Sequence, residues 1–465
     1  MYVKNRQALV DHGNRTLRGA ALDIAEHVLN RVNPYRLTRE EVHLDGQTLR
    51  VGDLIFDLAE RGDIYVLGAG KASLPIVQAL EDILGDHITH GLLTLKDGQT
   101  AGTRIVETRE ASHPLPDARG LKAAEDTLEL ASQATDGDIV FCAITGGSSA
   151  LWPYPIAGLS IEDKREVHRL LLESGASIRE INAVRKHLSR IKGGRLAAAI
   201  LPATVINLTV SDVTGDPYDY ITGPTVPDTS TFEDARDVLD RFYLWERMPA
   251  AAAEHLRTAT REMENPRSFP DGAINTFLLV PSDMVCTAAA EKARALGFIP
   301  HVLTSEMEGD SQTEGKRFGA ALALALQAGG EEPIAVIAGG ETTVSVSATK
   351  GQGGPNQEFG LAAAHALSSN QEVVLSLDTD GTDGPTELAG ALVDFTTIPL
   401  AATLGYDPDE ALRDHNVSPL LIAVSDAVVT GHTGTNVNDL KLGLGAQRDG
   451  TRHPESIPSN QGGER

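Results

Sequence analysis

The sequence of 465 residues predicts two α/β domains, the first built on a mainly parallel sheet covered by helices. Three observations favour this fold class. The chain is longer than a single hydrophobic core usually supports. Apolar runs of strand length alternate with stretches of helical spacing along most of it. Several of these runs stop at glycine-, serine- or acid-bearing turns, which is where open α/β sheets bind their ligands.

Each element follows from an apolar run and the turn that ends it. Residues 74–84 have helical spacing, and residues 232–266 are predicted to be a helical connector into the second domain. The alternation of strand and helix resumes at about residue 274. The predicted strands are residues 64–67, 139–144 and 205–210, then 274–280, 299–303, 334–338, 373–377 and 427–429.

Composition disfavours several classes of protein. A formal net charge of −25 argues against nucleic-acid binding, which depends on basic groups that neutralise phosphates. No apolar run approaches the roughly 20 residues of a membrane helix and no secretory signal is evident, so we expect a cytoplasmic protein without membrane contact. Cys142 and Cys286 lie in apolar runs and are expected to be buried free thiols.

The most informative turn follows the predicted strand 205–210. Asp212 and Asp216 lie four residues apart on a turn that contains Gly215 and Pro217. Ligands of open α/β sheets bind beyond the carboxyl ends of the strands, and paired carboxylates are usual ligands of Mg²⁺. The two acids indicate either a catalytic and metal-binding turn or an ordinary capped turn.

Two further turns could hold an anion. Gly70 and Lys71 precede Ser73 where a predicted strand leads into a helix, so backbone N–H groups and the lysine could face a phosphate or carboxylate. This turn lacks the spacing of a Walker A loop and of a dinucleotide fingerprint. An exposed lysine and a tight structural turn are the alternatives. The second turn follows strand 139–144 and offers N–H and O–H donors from Gly146, Gly147, Ser148 and Ser149.

Two further candidates are a loop histidine and a basic segment in this acidic chain. His113 lies in a loop that two prolines hold extended, where it could bind substrate, transfer a proton or be a surface residue. Arg185, Ser189 and Lys192 have the spacing of one helical face, on a helix expected to end at Gly193-Gly194. That segment predicts either a pocket for an anionic substrate or a solvated basic helix.

Polar groups also follow the predicted strands of the second half. Glu341 lies in a glycine turn after strand 334–338. Asp378, Asp380 and Asp383 place three carboxylates within six residues, and their repulsion requires a cation, an arginine or full solvation. Further candidates are Asn356 and Glu358, after Gly353-Gly354, and His432 and Asn436, after strand 427–429.

The order of these motifs resembles that of the class II glycerate kinases, the glycerate 2-kinase group whose C-terminal part is called the MOFRL domain. The resemblance covers nearly the whole chain. Its motifs are Gly68-Ala-Gly-Lys71, Ser112-His-Pro-Leu-Pro-Asp117, Thr145-Gly-Gly-Ser-Ser149, Asn182-Ala-Val-Arg185, Ser211-Asp-Val-Thr-Gly-Asp216, Gly339-Gly-Glu-Thr342, Gly354-Pro-Asn-Gln-Glu358, Asp380-Gly-Thr-Asp-Gly384 and Gly431-His-Thr-Gly-Thr-Asn436.

The resemblance implies a larger N-terminal Rossmann-like domain over residues 1–245 and a smaller C-terminal MOFRL domain over 246–450, with a cleft between them. The segment near 425–445 is able to return to the first domain, and 451–465 is expected to be a loose tail. The implied reaction transfers the γ-phosphoryl group of ATP to D-glycerate, giving 2-phosphoglycerate, with Mg²⁺ or another divalent cation.

The resemblance makes Lys71 and Asp212 the expected catalytic residues. A phosphoryl-transfer mechanism would use Asp216 to help hold the metal ion. The residues expected to bind substrate or phosphate are Gly70, Ser73, His113, Gly146, Gly147, Ser148, Ser149, Arg185, Lys192, Glu341, Asn356, Glu358, Asp380, His432 and Asn436.

Two other classes of function stay open. An NAD(P)H-dependent hydroxypyruvate reductase is disfavoured because the chain lacks a dinucleotide fingerprint. A non-catalytic sensor of sugar acids or phosphate would leave the carboxylate clusters without a role. In each case the ligands are small molecules, and a homodimer is the commonest default among oligomers.

Overall fold

The structure, a computed structural model, describes residues 1–99, 102–211, 215, 217–221, 223–328, 332–345, 351–367 and 369–446. The chain divides into two compact units, and each is assembled from separate stretches of sequence. The parallel-sheet unit comprises Val28–Val285 and His432–Asn438. The mixed-sheet unit comprises Met1–His27, Cys286–Gly431 and the described residues from Asp439.

Helices and a small antiparallel sheet come first in the chain. Helix α3 begins after Asn33, whose side chain accepts the N–H of Arg36, and Pro34 occupies its first turn. Both features are favourable at a helix N-terminus. The elements are α1 (Arg6–Val10), α2 (Arg15–Arg31), α3 (Pro34–Glu41), β1 (Val42–Asp45), β2 (Thr48–Val51) and β3 (Leu54–Asp57).

A six-stranded sheet in which all pairings are parallel forms the centre of the parallel-sheet unit. All residues of β4 and β7 are buried, as expected of parallel strands covered on both faces. Its strands, in the spatial order β6-β5-β4-β7-β8-β9, are β4 (Ile64–Ala69), β5 (Ile88–Lys96), β6 (Glu107–Ala111), β7 (Ile139–Ile144), β8 (Thr204–Val210) and β9 (Ile274–Val280).

The helices of this unit connect the strands and form a second hydrophobic core beside the sheet. They are α4 (Ser73–Leu84), α5 (Ala118–Ala131), α6 (Ser148–Leu151), α7 (Ile161–Glu173), α8 (Ile178–His187), α9 (Arg195–Ile200), α10 (Tyr218–Ile221), α11 (Phe232–Arg241) and α12 (Ala250–Thr258). Short 3₁₀ helices lie at Leu58–Glu60, Gly85–His87 and Arg261–Met263.

Two sequence expectations about this unit are wrong. Strand β9 pairs in parallel with β8 at the edge of the first sheet, so it does not belong to the second sheet. The segment 232–266 is not a connector, because α11 and α12 bury Phe232 and Leu256 in one core with residues of α7 and α8. Their amphipathic faces are covered by neighbouring helices, which a connector between domains would not require.

The mixed-sheet unit has a six-stranded sheet of its own. Strands β10 and β11 pair in parallel, and β15 lies antiparallel between β11 and β12. Its strands, in the order β10-β11-β15-β12-β13-β14, are β10 (Ile299–Met307), β11 (Ile334–Gly340), β12 (Glu372–Leu377), β13 (Gly390–Asp394), β14 (Ala427–Val428) and β15 (Asp439–Gly445). Its helices are α13 (Met284–Ala295), α14 (Ser311–Ala328), α15 (Pro355–Ala364), α16 (Thr397–Thr403), α17 (Pro408–Arg413) and α18 (Ser418–Ala423).

The two-domain α/β class is therefore confirmed. Cys142 and Cys286 are buried free thiols, as expected. Within the described residues, no helix combines the length and the hydropathy needed to cross a bilayer. The predicted tail 451–465 lies outside the described residues.

Candidate active site

Two of the predicted anion-binding turns form one continuous structure at the carboxyl edge of the parallel sheet. Strands β4 and β7 are neighbours, so the turns that follow them meet. The backbone N–H of Lys71 donates to the carbonyl of Gly146 at 2.9 Å. The N–H of Ala72 donates to Thr145 Oγ1 at 3.1 Å. These hydrogen bonds fix the position of Lys71 relative to the second turn.

Gly70 is required by this close approach. Its φ is +139°, and a Cβ atom would lie 2.1 Å from Thr145 Oγ1. Ser73 is fully buried, and its hydroxyl lies 3.1 Å from the same Thr145 Oγ1. The structure thus places Ser73 inside the turn, where its hydroxyl contacts protein.

Three predicted residues lie around the side chain of Lys71: Gly147, His113 and Asn436. A Cβ atom on Gly147, whose φ is +88°, would lie 3.1 Å from His113 Nε2 and 3.3 Å from Lys71 Cγ. The lysine and the histidine therefore flank this glycine. Lys71 Nζ donates to Asn436 Oδ1 at 3.2 Å, although the two residues are 365 positions apart in sequence. Asn436 is buried and belongs to the segment that returns to this unit.

The basic segment reaches the same edge of the sheet, but by a different path from the one predicted. Helix α8 ends at His187, so Ser189 and Lys192 do not share a helical face with Arg185. The hydroxyl of Ser189 accepts the N–H groups of Ile191 and Lys192 at 3.3 and 3.2 Å, a local turn that competes with helix continuation. The turn brings Lys192 Nζ to the hydroxyl of Ser149.

Buried positive charge is the main electrostatic feature of this region. Burial and the Arg185 guanidinium lower the pKa of the Lys164 ammonium to about 7. Burial, followed by Arg185 and Lys164, lowers the pKa of His168 to about 4. Burial and the neighbouring cations also hold the pKa of Lys192 well below its usual range. Among the described residues, Lys164, Arg185 and Lys192 have no carboxylate partner, so an anion would remove an unfavourable repulsion.

Sequence reasoning missed Lys164 and His168. They lie in α7 within an ordinary charged run, Glu162-Asp163-Lys164-Arg165-Glu166. Their spacing of four residues, which places both on one helical face, was the available signal. Nδ1 of His168 is buried and has no hydrogen-bond partner in the part of the chain that the structure describes.

Two cavities open between these elements, and Ser149 and Arg185 line both. The larger cavity has a volume of about 620 Å³ and combines basic and apolar side chains, including His113, Leu115, Gly147, Ser149, Lys164, His168, Leu172 and Arg185. The smaller cavity has a volume of about 180 Å³, and its polar lining residues are Ser148, Ser149, Asn182, Arg185, Lys186, Lys192 and Tyr220.

The predicted acidic turn cannot be placed in this geometry. Strand β8 carries the chain to Ser211, which is buried, but Asp212 and Asp216 lie outside the described residues. Over the described ranges, no group of three or more His, Cys, Asp or Glu side chains is arranged to hold a metal ion.

The remaining predicted residues differ in environment. Glu341, in the mixed-sheet unit, and His432, in the parallel-sheet unit, are exposed. Three others in the mixed-sheet unit are buried and hydrogen-bonded: Asn356 to Lys441 and Asp383, Glu358 to Gln312 and His415, and Asp380 to Thr382.

Full solvation does not relieve the three crowded aspartates of this unit, because Asp380 and Asp383 are buried. Burial, followed by Asp380 and Asp439, raises the pKa of Asp378 well above its usual range. Burial raises the pKa of Asp383 to about 6, despite hydrogen bonds from the backbone N–H groups of Asn356 and Gln357. A raised pKa favours the neutral carboxyl, which reduces the repulsion.

Taken together, a parallel α/β sheet with basic side chains at its carboxyl edge is the arrangement in which this class of protein binds small anionic ligands. Comparison with known proteins identifies the family. A model described as "Domain of unknown function (DUF4147)" matches residues 20–257, and the MOFRL family model matches residues 334–439. The chain belongs to the class II glycerate kinases, the glycerate 2-kinase group with a MOFRL domain, as predicted.

The similarity extends over most of each relative. The chain is 36% identical over 438 residues to glycerate 2-kinase of Pyrococcus horikoshii, covering 93% of this chain and 98% of that protein. It is 38% identical over 387 residues to D-glycerate 2-kinase of Thermotoga maritima, covering 82% and 90%. A crystal structure of glycerate kinase from Thermotoga maritima superposes with a TM-score of 0.80 at 33% identity, covering 93% and 100%.

Proposed function

We propose that this protein transfers the γ-phosphoryl group of ATP to the 2-hydroxyl of D-glycerate. The observation that carries the proposal is the cluster of Lys164, Arg185 and Lys192, which have no carboxylate partner among the described residues, at the same sheet edge as Lys71. Phosphoryl transfer depends on positioning and on neutralisation of negative charge more than on covalent chemistry. The names of the relatives, glycerate 2-kinase and D-glycerate 2-kinase, support the substrate and the position of transfer.

Glycerate fits the smaller cavity in size and charge. Its carboxylate would bind Lys192 and Arg185, and its hydroxyls would bind the hydroxyls of Ser148 and Ser149. A volume of about 180 Å³ suits a three-carbon acid and leaves little room for a larger anion.

Lys71 would neutralise charge on the transferring phosphoryl group, and Asn436 would hold its ammonium in place. The bond from the γ-phosphorus to the bridging oxygen of ADP breaks as the bond to the 2-oxygen of glycerate forms. Asp212 would accept the proton of that hydroxyl. A divalent cation bound with ATP, with Asp216 as one ligand, would supply further charge neutralisation. The two aspartate roles rest on the sequence, as do a cytoplasmic location and a homodimer.

A coupled assay tests the reaction. Purified protein is incubated with Mg-ATP and D-glycerate, and product is detected by enolase with and without phosphoglycerate mutase. Enolase alone should give a signal, because only 2-phosphoglycerate is its substrate. A signal that requires the mutase would move the acceptor to the 3-hydroxyl. Absence of phosphoglycerate, with NADH oxidation on hydroxypyruvate, would favour the reductase instead.

The same assay tests Lys71. Lys71→Met should lower kcat by about 100-fold or more, because it removes a cation placed for the transition state. Lys122→Met is the matched control: Lys122 is exposed on α5 and pairs with Asp126, so kcat should stay unchanged. Turnover of Lys71→Met within threefold of the unaltered protein would discard the assigned role.

A further inference from the structure

The larger of these two adjoining cavities, at about 620 Å³, has no occupant in the mechanism above. We propose that it is the nucleotide site, with the triphosphate against Lys164 and Arg185 and the base against the leucines at its rim. The identity of the nucleotide as ATP rests on the proposed function. The site itself rests on the size, charge and apolar lining of the cavity.

The volumes of the two cavities indicate which ligand of the reaction each one holds. At about 620 Å³ the larger cavity lies within the range of about 300–1,000 Å³ that is typical of cofactor-sized ligands. The smaller cavity, at about 180 Å³, is too small for a nucleoside triphosphate. Glycerate alone would leave most of the larger cavity empty.

Charge in the larger cavity favours a polyanion. Lys164 and Arg185 contribute two cations from adjacent helices, and neither has a carboxylate partner in the described part of the chain. Two carboxylates line the cavity as well. Glu166 is paired with Arg169 at 2.6 Å, and Glu162 is exposed. Lys164 therefore remains available to phosphate oxygens, and Arg185, which lines both cavities, is shared between the triphosphate and the glycerate carboxylate.

Apolar side chains line the same cavity. Leu115 and Leu172 line the cavity with exposed fractions of 64% and 57%. Leu159 and Leu188 also line the cavity and are buried. A flat base would cover the exposed leucines, whereas glycerate has no apolar surface of that size. A cavity that combines basic and apolar side chains fits the phosphates and the base of a nucleoside triphosphate.

The two cavities adjoin at the position that phosphoryl transfer requires. Ser149 and Arg185 line both, so a phosphate held at that end of the larger cavity lies beside the acceptor site. Gly147 also lines the larger cavity, and its Cα packs close to Lys71. The end of the triphosphate would therefore reach the lysine assigned to the transferring group.

Variants at one apolar and one basic lining residue, Leu172 and Lys164, test the site. We would measure the Kd of AMP-PNP, a non-hydrolysable ATP analogue, by calorimetry, and the KM values for ATP and glycerate. Leu172→Asp and Lys164→Gln should each raise the Kd of AMP-PNP and the KM for ATP at least tenfold. The KM for glycerate should stay within threefold. Leu404→Asp, an equally accessible leucine of the mixed-sheet unit at 50% exposed, is the control and should change neither constant.

Each outcome decides between the two proposals. Unchanged nucleotide constants in both variants, or an increase confined to the KM for glycerate, would overturn the nucleotide site and leave the kinase proposal standing. AMP-PNP binding that both variants weaken, in a protein that forms no phosphoglycerate, would support the site and reject the reaction. Because both positions are partly exposed, loss of folding is not expected, and melting curves would confirm this.

Discussion

Lys164 in α7 lowers the stability of the folded protein, because its charge is partly removed from water at the candidate anion site. Burial and Arg185 lower the pKa of Lys164 to about 7, whereas an unfolded lysine titrates near 10.4. The folded protein therefore holds this proton less tightly than the unfolded chain. The resulting destabilisation is complete at and below pH 7, declines as pH rises, and disappears above about pH 10.

Lys164→Gln should accordingly stabilise the protein without ligand. We expect a gain on the order of 1 kcal/mol at pH 7, after allowance for solvent near a half-buried side chain, and a smaller gain at pH 9. Melting temperatures at the two pH values measure it. Lys122→Gln is the control, because its partner Asp126 raises the pKa of Lys122, and it should give no gain. A lower melting temperature for Lys164→Gln at pH 7 would contradict this account.

Candidate site residues could be predicted from the sequence only where a glycine turn or a cluster of charged residues marked them. Lys71 and Gly147 are predicted site residues because a glycine turn ends a buried strand, and Lys192 is one because basic residues are scarce in this chain. Lys164 gave no such signal. The hydrogen bond from Lys71 to Asn436 joins residues 365 positions apart, and no local pattern predicts such a contact.

At the scale of elements, strands were predicted well because an apolar run and its ending turn are local features. Strands β4, β7 and β8 lie where their apolar runs predicted them. The end of α8 was predicted wrongly, because Ser189 forms local hydrogen bonds that helical spacing does not reveal. Strand β9 was assigned to the wrong sheet, because pairing partners are set by tertiary packing.

The turns after β4 and β7 are in close contact at Gly70, so the effect of adding one methyl group there can be predicted. In Gly70→Ala the new Cβ would overlap Thr145 Oγ1, so the turn carrying Lys71 must move away from the turn after β7. We expect kcat to fall at least tenfold and the melting temperature to fall.

Gly85→Ala is the control for backbone strain in this comparison. Gly85 follows α4, the helix that begins just after Gly70. Its φ is +51°, and a Cβ atom there would meet nothing within 4 Å. It should lose a little stability but retain its kcat. Equal activity losses in the two variants would show that strain in the backbone, and not displacement of Lys71, is responsible.

At the scale of the whole molecule, the division into units was the hardest feature to foresee. Each unit is assembled from stretches far apart in sequence: residues 432–438 complete the parallel-sheet unit, and residues 1–27 belong to the mixed-sheet unit. Apolar periodicity predicts whether a stretch is helix or strand. It does not indicate which distant stretch packs against it. Buried ion pairs of long sequence separation hold such stretches in place.

Arg18 is the clearest example within the mixed-sheet unit. Its guanidinium contacts Asp394 and Asp426 at 2.7 Å each, and all three side chains are fully buried. His12 also lies 2.8 Å from Asp426. Burial raises the pKa of Asp394, but Arg18 and Thr396 outweigh it, so the pKa lies below its usual range. The stabilisation is therefore present at neutral pH and is lost as pH falls through that lowered pKa.

Arg18→Met should destabilise the mixed-sheet unit by about 3–5 kcal/mol at pH 7, because two buried carboxylates lose their shared partner. Without the arginine the pKa of Asp394 rises, so protonation of this carboxylate relieves the variant as pH falls. The deficit in melting temperature should therefore be smaller at pH 5 than at pH 7. Arg15→Met, at an exposed position of the same helix, should have little effect at either pH. A deficit that does not depend on pH would indicate lost packing of the arginine side chain instead of unpaired charge.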